Sequence, residues 1–153
     1  MRIVDFEARH AEAWRTLNEA WIASLFAIEA KDREVLDDPQ GAILDKGGRI
    51  FMAESEGEAI GCVALIVMPD GGYELAKMTV AEGARGTGLG RKLMQRCVEA
   101  GREAAAVRLY LETNSALAPA LALYRSVGFR ELDRTAVPPS EYQRCDVWME
   151  LPL

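Results

Sequence analysis

A glycine-rich stretch near the middle of the chain constrains the fold most. It reads Arg85-Gly86-Thr87-Gly88-Leu89-Gly90-Arg91 and lies between a strand pattern at 73–80 and an apolar stripe at helical spacing over 89–104. Glycines at alternate positions permit a tight turn and leave backbone N–H groups unobstructed. The helix that follows adds the positive end of its dipole, and the flanking arginines add charge-assisted hydrogen bonds. The stretch therefore predicts a binding site for a phosphate or pyrophosphate.

The two most common nucleotide-binding loops do not fit this stretch. A Walker loop ends in Gly-Lys followed by Ser or Thr, whereas Gly90 is followed by Arg91-Lys92-Leu93. The dinucleotide fingerprint places two residues between its second and third glycines, whereas Leu89 alone separates Gly88 from Gly90. That fingerprint also follows the first strand of a parallel unit, and this loop follows an antiparallel pattern. The stretch is therefore neither a Walker loop nor a dinucleotide-binding fingerprint.

Hydrophobic periodicity predicts a mixture of strands and helices in one domain, residues 1–153. Strands are predicted at 1–8, 49–54, 59–68, 73–80, 107–113, 129–133 and 144–151, and helices from about residue 10, at 89–104 and at 116–127. Turn signals at 55–58 and 69–72 make the three strands between 49 and 80 antiparallel, and 40–48 is a connector. Strand 107–113 should return parallel to 73–80 through a right-handed crossover. In the first helix, the predicted core stripe is Trp14, Leu17, Trp21, Leu25 and Ile28.

The ends of the last helix carry their own signals. Asn114 and Ser115 are natural caps for a helix over 116–127, and Gly128 closes it. Its apolar stripe is Leu117, Leu121 and Tyr124.

Composition excludes several classes of protein. Half of the residues are hydrophobic and 27% are charged, as in an ordinary globular protein. The net charge of -6 disfavours a nucleic-acid partner. No apolar run approaches the roughly 20 residues of a membrane span, and the first residues lack a signal-peptide core, so we expect a cytoplasmic protein without a membrane partner.

The cysteines and the histidine offer little chemistry. Cys62, Cys97 and Cys145 are far apart and lie inside apolar segments, which predicts reduced core thiols. The single histidine, His10, is expected at the surface, and one histidine cannot supply the spacings of a zinc site. We therefore expect no metal.

Two motifs together resemble the GCN5-related N-acetyltransferase (GNAT) family. Arg85-Gly86-Thr87-Gly88-Leu89-Gly90 resembles that family's pyrophosphate loop, and Leu111-Glu112-Thr113-Asn114 with Ala122-Leu123-Tyr124 and Gly128-Phe129 resembles its next conserved block. The order of predicted elements matches as well. The resemblance implies an α/β (α+β) acyl-CoA N-acyltransferase fold, with a mixed central sheet of about six to seven strands flanked by about four helices.

The resemblance also implies acetyl-CoA as co-substrate. Its pyrophosphate would lie on backbone N–H groups of Arg85, Gly86, Thr87, Gly88, Leu89, Gly90 and Arg91. Its pantetheine arm would run between strands 73–80 and 107–113, splayed apart in this fold, and pair with the backbone of Met78, Thr79 and Val80. A backbone N–H near Met78 would face the acetyl carbonyl. Asn114 either contacts the arm or caps the following helix.

Amine acetylation needs a group that removes a proton and a group that returns one. Tyr124, which matches the family's tyrosine, is the candidate acid, with a packed core tyrosine as the alternative. Glu74 resembles the glutamate that many members carry on this strand and is the candidate base, with a solvated edge residue as the alternative and Glu112 as a weaker candidate. Strand alternation places Glu74 with Ala76 and Met78, opposite Lys77, unless a bulge intervenes. Lys77 is expected to be a solvated charge.

The acceptor pocket is predicted from less specific signals. Arg144 could clamp a substrate carboxylate, which would indicate an amino-acid-like amine, or it is an ordinary residue at a strand edge. Neighbours in the same pocket would be Trp21, Phe26, Glu29 and Tyr142, with Glu29 attracting the amine.

Three functions remain open. The first is direct acetylation of a primary amine on a small molecule or amino acid, because no cysteine has a histidine beside it for a covalent relay. The second is acetylation of a protein N-terminus or lysine, and the third is an acyl-CoA-binding module without turnover. Many relatives pair, so a homodimer is an expectation from the resemblance.

Overall fold

The computed structural model describes residues 1–153, folded around a seven-stranded mixed sheet. The strands are β1 (Arg2–Asp5), β2 (Arg49–Ser55), β3 (Glu58–Val67), β4 (Tyr73–Val80), β5 (Arg108–Thr113), β6 (Arg130–Glu131) and β7 (Val147–Pro152). The helices are α1 (Ala11–Leu25), α2 (Ala30–Asp37), α3 (Pro39–Ala42), α4 (Leu89–Glu103) and α5 (Ala118–Val127). The predicted fold class is confirmed, with a short fifth helix added.

The sheet has the order β1-β2-β3-β4-β5-β7-β6, and only β4 and β5 are parallel neighbours. The predicted hairpins from β2 to β4 and the parallel return of β5 are confirmed. β4 and β5 pair only at Tyr73–Leu109 and Glu74–Tyr110. Beyond Glu74 the two strands separate, which leaves an unpaired strand edge and a gap in the middle of the sheet.

Helices cover both faces of the sheet, each over its own apolar cluster. α4 and α5 pack over the larger cluster of 18 buried residues, which includes Leu93, Leu109 and Met149. The first helices pack over nine buried residues, which include Trp14, Leu36 and Ile50. The gap between β4 and β5 therefore lies between two packed layers, which hold its walls in place.

The buried face of α1 differs from the predicted stripe. It consists of Trp14, Asn18 and Ile22, each fully buried, whereas Leu25 is 61% exposed. Asn18 is accommodated in the core because its amide donates to the Trp14 carbonyl and contacts the Cys62 thiol. A polar residue on the core face concealed the true stripe from a search for apolar spacing.

A β-bulge in β4 changes which side chains share a face. Cys62 pairs with Thr79 but Ala64 pairs with Ala76, so Lys77 and Met78 together face one residue of β3. Lys77 has a positive φ of 58°. Its side chain points toward α2, on the Glu74 side, while Met78 packs against the cluster under α4. The predicted grouping of Met78 with Glu74 is wrong, because the bulge adds one residue to the alternation.

Four other local predictions need correction. Residues 39–46 form α3 and a 3-10 turn (Leu44–Lys46) where a connector was expected, and β6 has two residues where 129–133 was predicted. α5 begins at Ala118, so Asn114 caps no helix. His10 is 3% exposed, because its Nδ1 accepts the Glu7 N–H and its Nε2 lies 3.2 Å from a Glu54 carboxylate oxygen. A buried carboxylate partner explains why this histidine is not at the surface.

Candidate active site

A cavity of about 520 Å³ lies where β4 and β5 separate. Of the residues predicted for the site, it is lined by Trp21, Phe26, Glu74, Met78, Thr79, Val80, Arg85, Gly90, Asn114, Tyr124, Tyr142 and Arg144. Gly86, Thr87, Gly88, Leu89, Arg91 and Glu29 do not line it. One cavity thus connects the start of α4 with the segment before β7, two regions about fifty residues apart in sequence.

The glycine loop presents backbone donors and few side chains. Gly86 and Gly88 adopt φ values of 79° and 80°, the left-handed region that favours glycine. No N–H group from Gly86 to Arg91 donates within the protein, and the first bond at this end of α4 runs from Lys92 N–H to Gly88 O. Six consecutive N–H groups are therefore free at a helix N-terminus, the arrangement that binds phosphate oxygens.

Most side chains of the same loop pack or bond within the protein and stabilise the conformation of the loop. Leu89 is 1% exposed and belongs to the core. The Thr87 hydroxyl donates to the Ala84 carbonyl, and Arg91 donates to the Ser126 hydroxyl over 2.8 Å. Arg85 alone among the loop's charged side chains reaches the cavity.

Glu74 lies at the last position where β4 pairs with β5, and it faces the cavity. Its carboxylate has no hydrogen bond or ion pair within the protein. Burial, reinforced by the nearby Glu112 carboxylate, raises the pKa of Glu74 to about 7. A carboxylate with this pKa accepts and releases a proton near neutral pH.

Tyr124 is buried in the cavity wall, on α5. Its ring lies 5.9 Å from that of Phe129, and its hydroxyl makes no hydrogen bond with the protein. Burial raises the pKa of Tyr124 to about 12, so the hydroxyl keeps its proton at neutral pH. A core tyrosine bonded to the backbone, the alternative to a functional one, is not what the structure contains.

A buried ionic cluster closes the other end of the cavity. Asp32 on α2 is fully buried; its Oδ1 lies 3.0 Å from Lys77 Nζ, and its carboxylate accepts two bonds from Arg144, at 2.6 and 2.8 Å. Lys77 Nζ also donates to the Tyr142 hydroxyl over 3.0 Å. We call Asp32, Lys77, Tyr142 and Arg144 the Asp32 cluster. It joins α2, the β4 bulge and the segment before β7.

The cluster shifts the titration of its members. Burial alone would raise the pKa of Asp32, but the bonds from Arg144 and the Glu29 backbone, together with Lys77, lower it to about 2. Burial lowers the pKa of Lys77, and the Asp32 charge opposes this shift. The expectation of a solvated Lys77 is wrong, since its side chain is paired and buried.

These features agree with the comparison to known proteins. Residues 10–129 match the model of the acetyltransferase (GNAT) family. The chain belongs to the GNAT family. A curated relative, an IAA acetyltransferase from Azospirillum brasilense, is 37% identical over 106 residues, which cover 69% of this chain and 68% of the relative. The chain is accordingly an acetyl-CoA-dependent N-acetyltransferase.

Solved GNAT structures share the fold over the whole chain. An acetyltransferase from Staphylococcus aureus MU50 superposes with a TM-score of 0.91 at 21% identity, covering 99% of this chain and 98% of that one. A GNAT acetyltransferase from Elizabethkingia anophelis with acetyl-CoA bound gives 0.73 at 19% identity, covering 99% and 97%. Identities this low establish the fold alone.

Two predicted site residues of this GNAT chain are hydrogen-bonded to other groups of the protein. The Asn114 amide donates to the Arg144 carbonyl over 2.7 Å, and its oxygen accepts the Ala116 N–H. Glu29 accepts from the Gln143 N–H and from Arg144, and it lies outside the cavity wall. Both residues hold the loop before β7 in place.

Sequence reasoning missed Asp32 and misjudged Lys77. They lie 45 residues apart, and no local pattern links an acidic residue on a charged helix to a lysine in a strand. The left-handed Lys77 has no sequence signal either, since no glycine or asparagine marks the bulge. The pair could have been found only from a model of how α2 packs on β4.

None of the three cysteines forms a disulfide; Cys62 and Cys97 lie in the core as predicted, whereas Cys145 is half-buried and does not. Burial raises the pKa of the Cys62 thiol to about 12, and burial also raises that of Cys145, which lines the cavity. The sole imidazole, His10, is bonded to Glu54 on the distant β2. No thiol in this GNAT site is therefore activated as a nucleophile.

No group of three His, Cys, Asp or Glu side chains is arranged to hold a metal ion. None of the helices has both the length and the apolar character needed to span a bilayer.

Proposed function

We propose that this chain transfers the acetyl group of acetyl-CoA directly to a primary amine of a small molecule or amino acid. The observation that carries the proposal is one cavity that reaches from Arg85 and Gly90, in the loop with the free N–H groups, to the unpaired Glu74 carboxylate, whose pKa is raised to about 7. Phosphate recognition and proton acceptance are thus available at two ends of one space.

The co-substrate fits the donors that the protein leaves free. The N–H groups from Gly86 to Arg91 would hold the pyrophosphate, with Arg85 adding charge. Because β5 leaves the edge of β4 beyond Glu74 unpaired, the backbone of Met78, Thr79 and Val80 can pair with an extended amide-bearing arm. Asn114 has remaining donor and acceptor capacity toward the same arm.

Proton transfers are assigned to two side chains. Glu74 accepts the proton of the incoming ammonium, directly or through water, because its pKa lies near the operating pH. The amine nitrogen then forms a bond to the acetyl carbon, and the carbon–sulfur bond to CoA breaks. Tyr124, protonated and without a protein acceptor, donates to the departing sulfur, and the second proton that the nitrogen loses restores the Tyr124 hydroxyl through water. A backbone N–H near Met78 would stabilise the oxyanion.

Two observations favour a small acceptor over a protein. The segment before β7 is bonded down over the acceptor end, through Tyr142 to Lys77 and through Gln143 to Glu29. Trp21 and Phe26 close the same end with rings 6.5 Å apart. A protein terminus would have to enter beside both. Action on a protein, like homodimer formation and a cytoplasmic location, stays open to experiment.

Thermal unfolding with acetyl-CoA, followed by thiol release over a panel of amines and amino acids, tests the proposal. At one hundred times its Kd the ligand should add about 2.7 kcal/mol to stability. Tyr124→Phe should lower turnover by about tenfold or more while acetyl-CoA still stabilises the protein. Tyr73→Phe is the matched control, because Tyr73 lies outside the cavity wall. Stabilisation without release on any small amine would refute a small acceptor.

A further inference from the structure

We infer that the acceptor is an amine without a carboxylate, whose ammonium lies between Glu74 and Glu112 and whose apolar body packs on Trp21 and Phe26. This inference rests on the proposed function and narrows its acceptor class. It depends on which charges at the acceptor end are already neutralised by the protein.

Both cations at this end of the cavity are already paired. Lys77 lies 3.0 Å from Asp32, and Arg144 places two nitrogens on the same carboxylate and one on Glu29, at 3.3 Å. The planar fork of a guanidinium binds one carboxylate in bidentate fashion, and here Asp32 occupies it. A substrate carboxylate would have to displace a buried partner, which leaves Asp32 without its strongest hydrogen bonds.

Neither of the two remaining carboxylates forms an ion pair. Glu74 has no partner in the protein, and Glu112 accepts only the neutral hydroxyls of Tyr110 and Ser140. Both line the cavity. Lys77 and Arg144 are neutralised by Asp32 and Glu29 behind the wall, and Lys31, the other cation near Glu74, is paired with Glu141. The charge left over at this end is therefore the negative charge of Glu74 and Glu112. An ammonium is attracted there and an added carboxylate is repelled.

The wall beside these carboxylates is apolar. Trp21, Leu25 and Phe26 form the end of α1 and its continuation, and all three line the cavity. Leu25 is 61% exposed and extends this apolar wall toward solvent. Aromatic faces favour a neighbouring cation and pack well against an apolar body. In an alkyl or arylalkyl amine, the ammonium suits the two carboxylates and the apolar body suits the apolar wall.

This inference opposes the clamp role of Arg144, which would require an amino-acid-like acceptor. In its place, Arg144 is a positioning residue that fixes the loop before β7 through Asp32 and Glu29. The two roles predict opposite preferences for a carboxylate on the acceptor, so one comparison separates them.

Matched pairs of acceptors that differ only in the carboxylate provide the test: phenethylamine and phenylalanine, tryptamine and tryptophan, cadaverine and lysine. Binding is measured first, as the thermal shift that each compound adds to the protein saturated with CoA, which needs no turnover. We expect at least one amine to bind about tenfold more tightly than its amino acid. Equal or tighter binding of the amino acids, or no shift from any compound, would overturn the inference.

Glu112→Gln tests the carboxylate itself. Glutamine can keep the bonds to the Tyr110 and Ser140 hydroxyls, so the loop should stay folded. The preference for the amine should fall severalfold, mainly through weaker amine binding. Glu58→Gln is the matched control, since Glu58 is exposed in a hairpin remote from the cavity. An unchanged preference in Glu112→Gln would contradict the role of Glu112.

Turnover separates this inference from the proposed function. If the amine binds the CoA complex in preference to its amino acid but releases no thiol from acetyl-CoA, the acceptor inference stands and direct acetylation fails. If an amino acid both binds better and is acetylated, direct acetylation stands and the inference fails.

Discussion

At the scale of single residues, the unpaired Glu74 carboxylate matters most. It is held in the gap between β4 and β5 without a partner, and its pKa is raised from 4.5 to about 7 by burial and by Glu112. An uncompensated buried carboxylate costs stability wherever it is charged. At this position the protein therefore has a group that lowers the free energy of unfolding but can accept a proton near neutral pH.

The first prediction concerns the pH dependence of activity. As a base, Glu74 works only when deprotonated, so kcat/KM should fall below about pH 7, with a slope that approaches tenfold per pH unit. Glu74→Gln should lower kcat/KM by about a hundredfold or more and remove this inflection. A pH profile with acetyl-CoA saturating provides the measurement. An inflection that persists in Glu74→Gln would assign it to another group.

The second prediction concerns stability at the same residue. Because the folded pKa of Glu74 exceeds the unfolded value, this group's favourable contribution is fully present below about pH 4.5 and is lost as pH rises to about 7. Glu74→Gln should therefore raise the free energy of unfolding at pH 8, by up to about 3 kcal/mol. Chemical denaturation at pH 4 and pH 8 measures it, and the gain should be small at pH 4. A variant destabilised at pH 8 would contradict the unpaired burial of the carboxylate.

At the scale of elements, the loop before α4 depends on backbone geometry. Gly88 precedes the helix with a φ of 80°, and a Cβ added there would meet no atom within 4 Å. A substitution at this position strains the backbone without creating a clash. The loop's function can therefore be separated from its packing.

The third prediction uses two glycines in the same conformation. Gly88→Ala should cost about 1 kcal/mol of stability and weaken acetyl-CoA binding by about tenfold or more, because the strained turn redirects the free N–H groups. Gly57→Ala is the control: Gly57 has a φ of 82°, equally open space, and a place in the β2–β3 hairpin. It should show a similar stability cost and unchanged Kd. Equal weakening of binding in both variants would refute recognition by this loop.

At the scale of the whole molecule, the Asp32 cluster connects parts that no backbone pairing joins. α2, the bulge in β4 and the loop before β7 meet at one buried carboxylate. This carboxylate brings an otherwise irregular loop, residues 137–146, against the cavity. The acceptor end is thus formed only when distant parts of the chain have folded together.

The fourth prediction is that Asp32→Asn destabilises the protein by about 3–5 kcal/mol, because it leaves Lys77 and Arg144 partly unpaired in a buried place. The wild-type contribution should be present above about pH 4 and lost as pH falls toward about 2, since the folded pKa of Asp32 is lowered from 3.8. Denaturant unfolding at pH 7 measures the change, and hydrogen exchange should rise at Tyr142. Asp45→Asn, an exposed change, is the control.

If Asp32→Asn leaves the free energy of unfolding nearly unchanged, the Asp32 cluster positions the loop before β7 without stabilising the protein. In that case hydrogen exchange in the loop still reports whether Asp32 fixes it.

The amino-acid sequence by itself determined the layered α/β plan, the antiparallel meander, the parallel return of β5 and the glycine loop at the start of α4. These follow from local periodicity, turn residues and glycine positions, which operate over a few residues. The family resemblance singled out Tyr124 and Glu74 as candidates. Gly128 was predicted to close α5, and its φ of 118° agrees with that position.

Only the tertiary structure decided the faces and partners of the site residues. Because of the bulge at Lys77, Met78 lies on the opposite face of β4 from Glu74. The core face of α1 includes a polar residue, Asn18. The Arg144 guanidinium binds Asp32, which lies 112 residues away in sequence. Charge alone does not specify this pairing in a chain with many carboxylates. Local patterns fix the elements, but burial and ion pairing between distant elements fix the chemistry of the site.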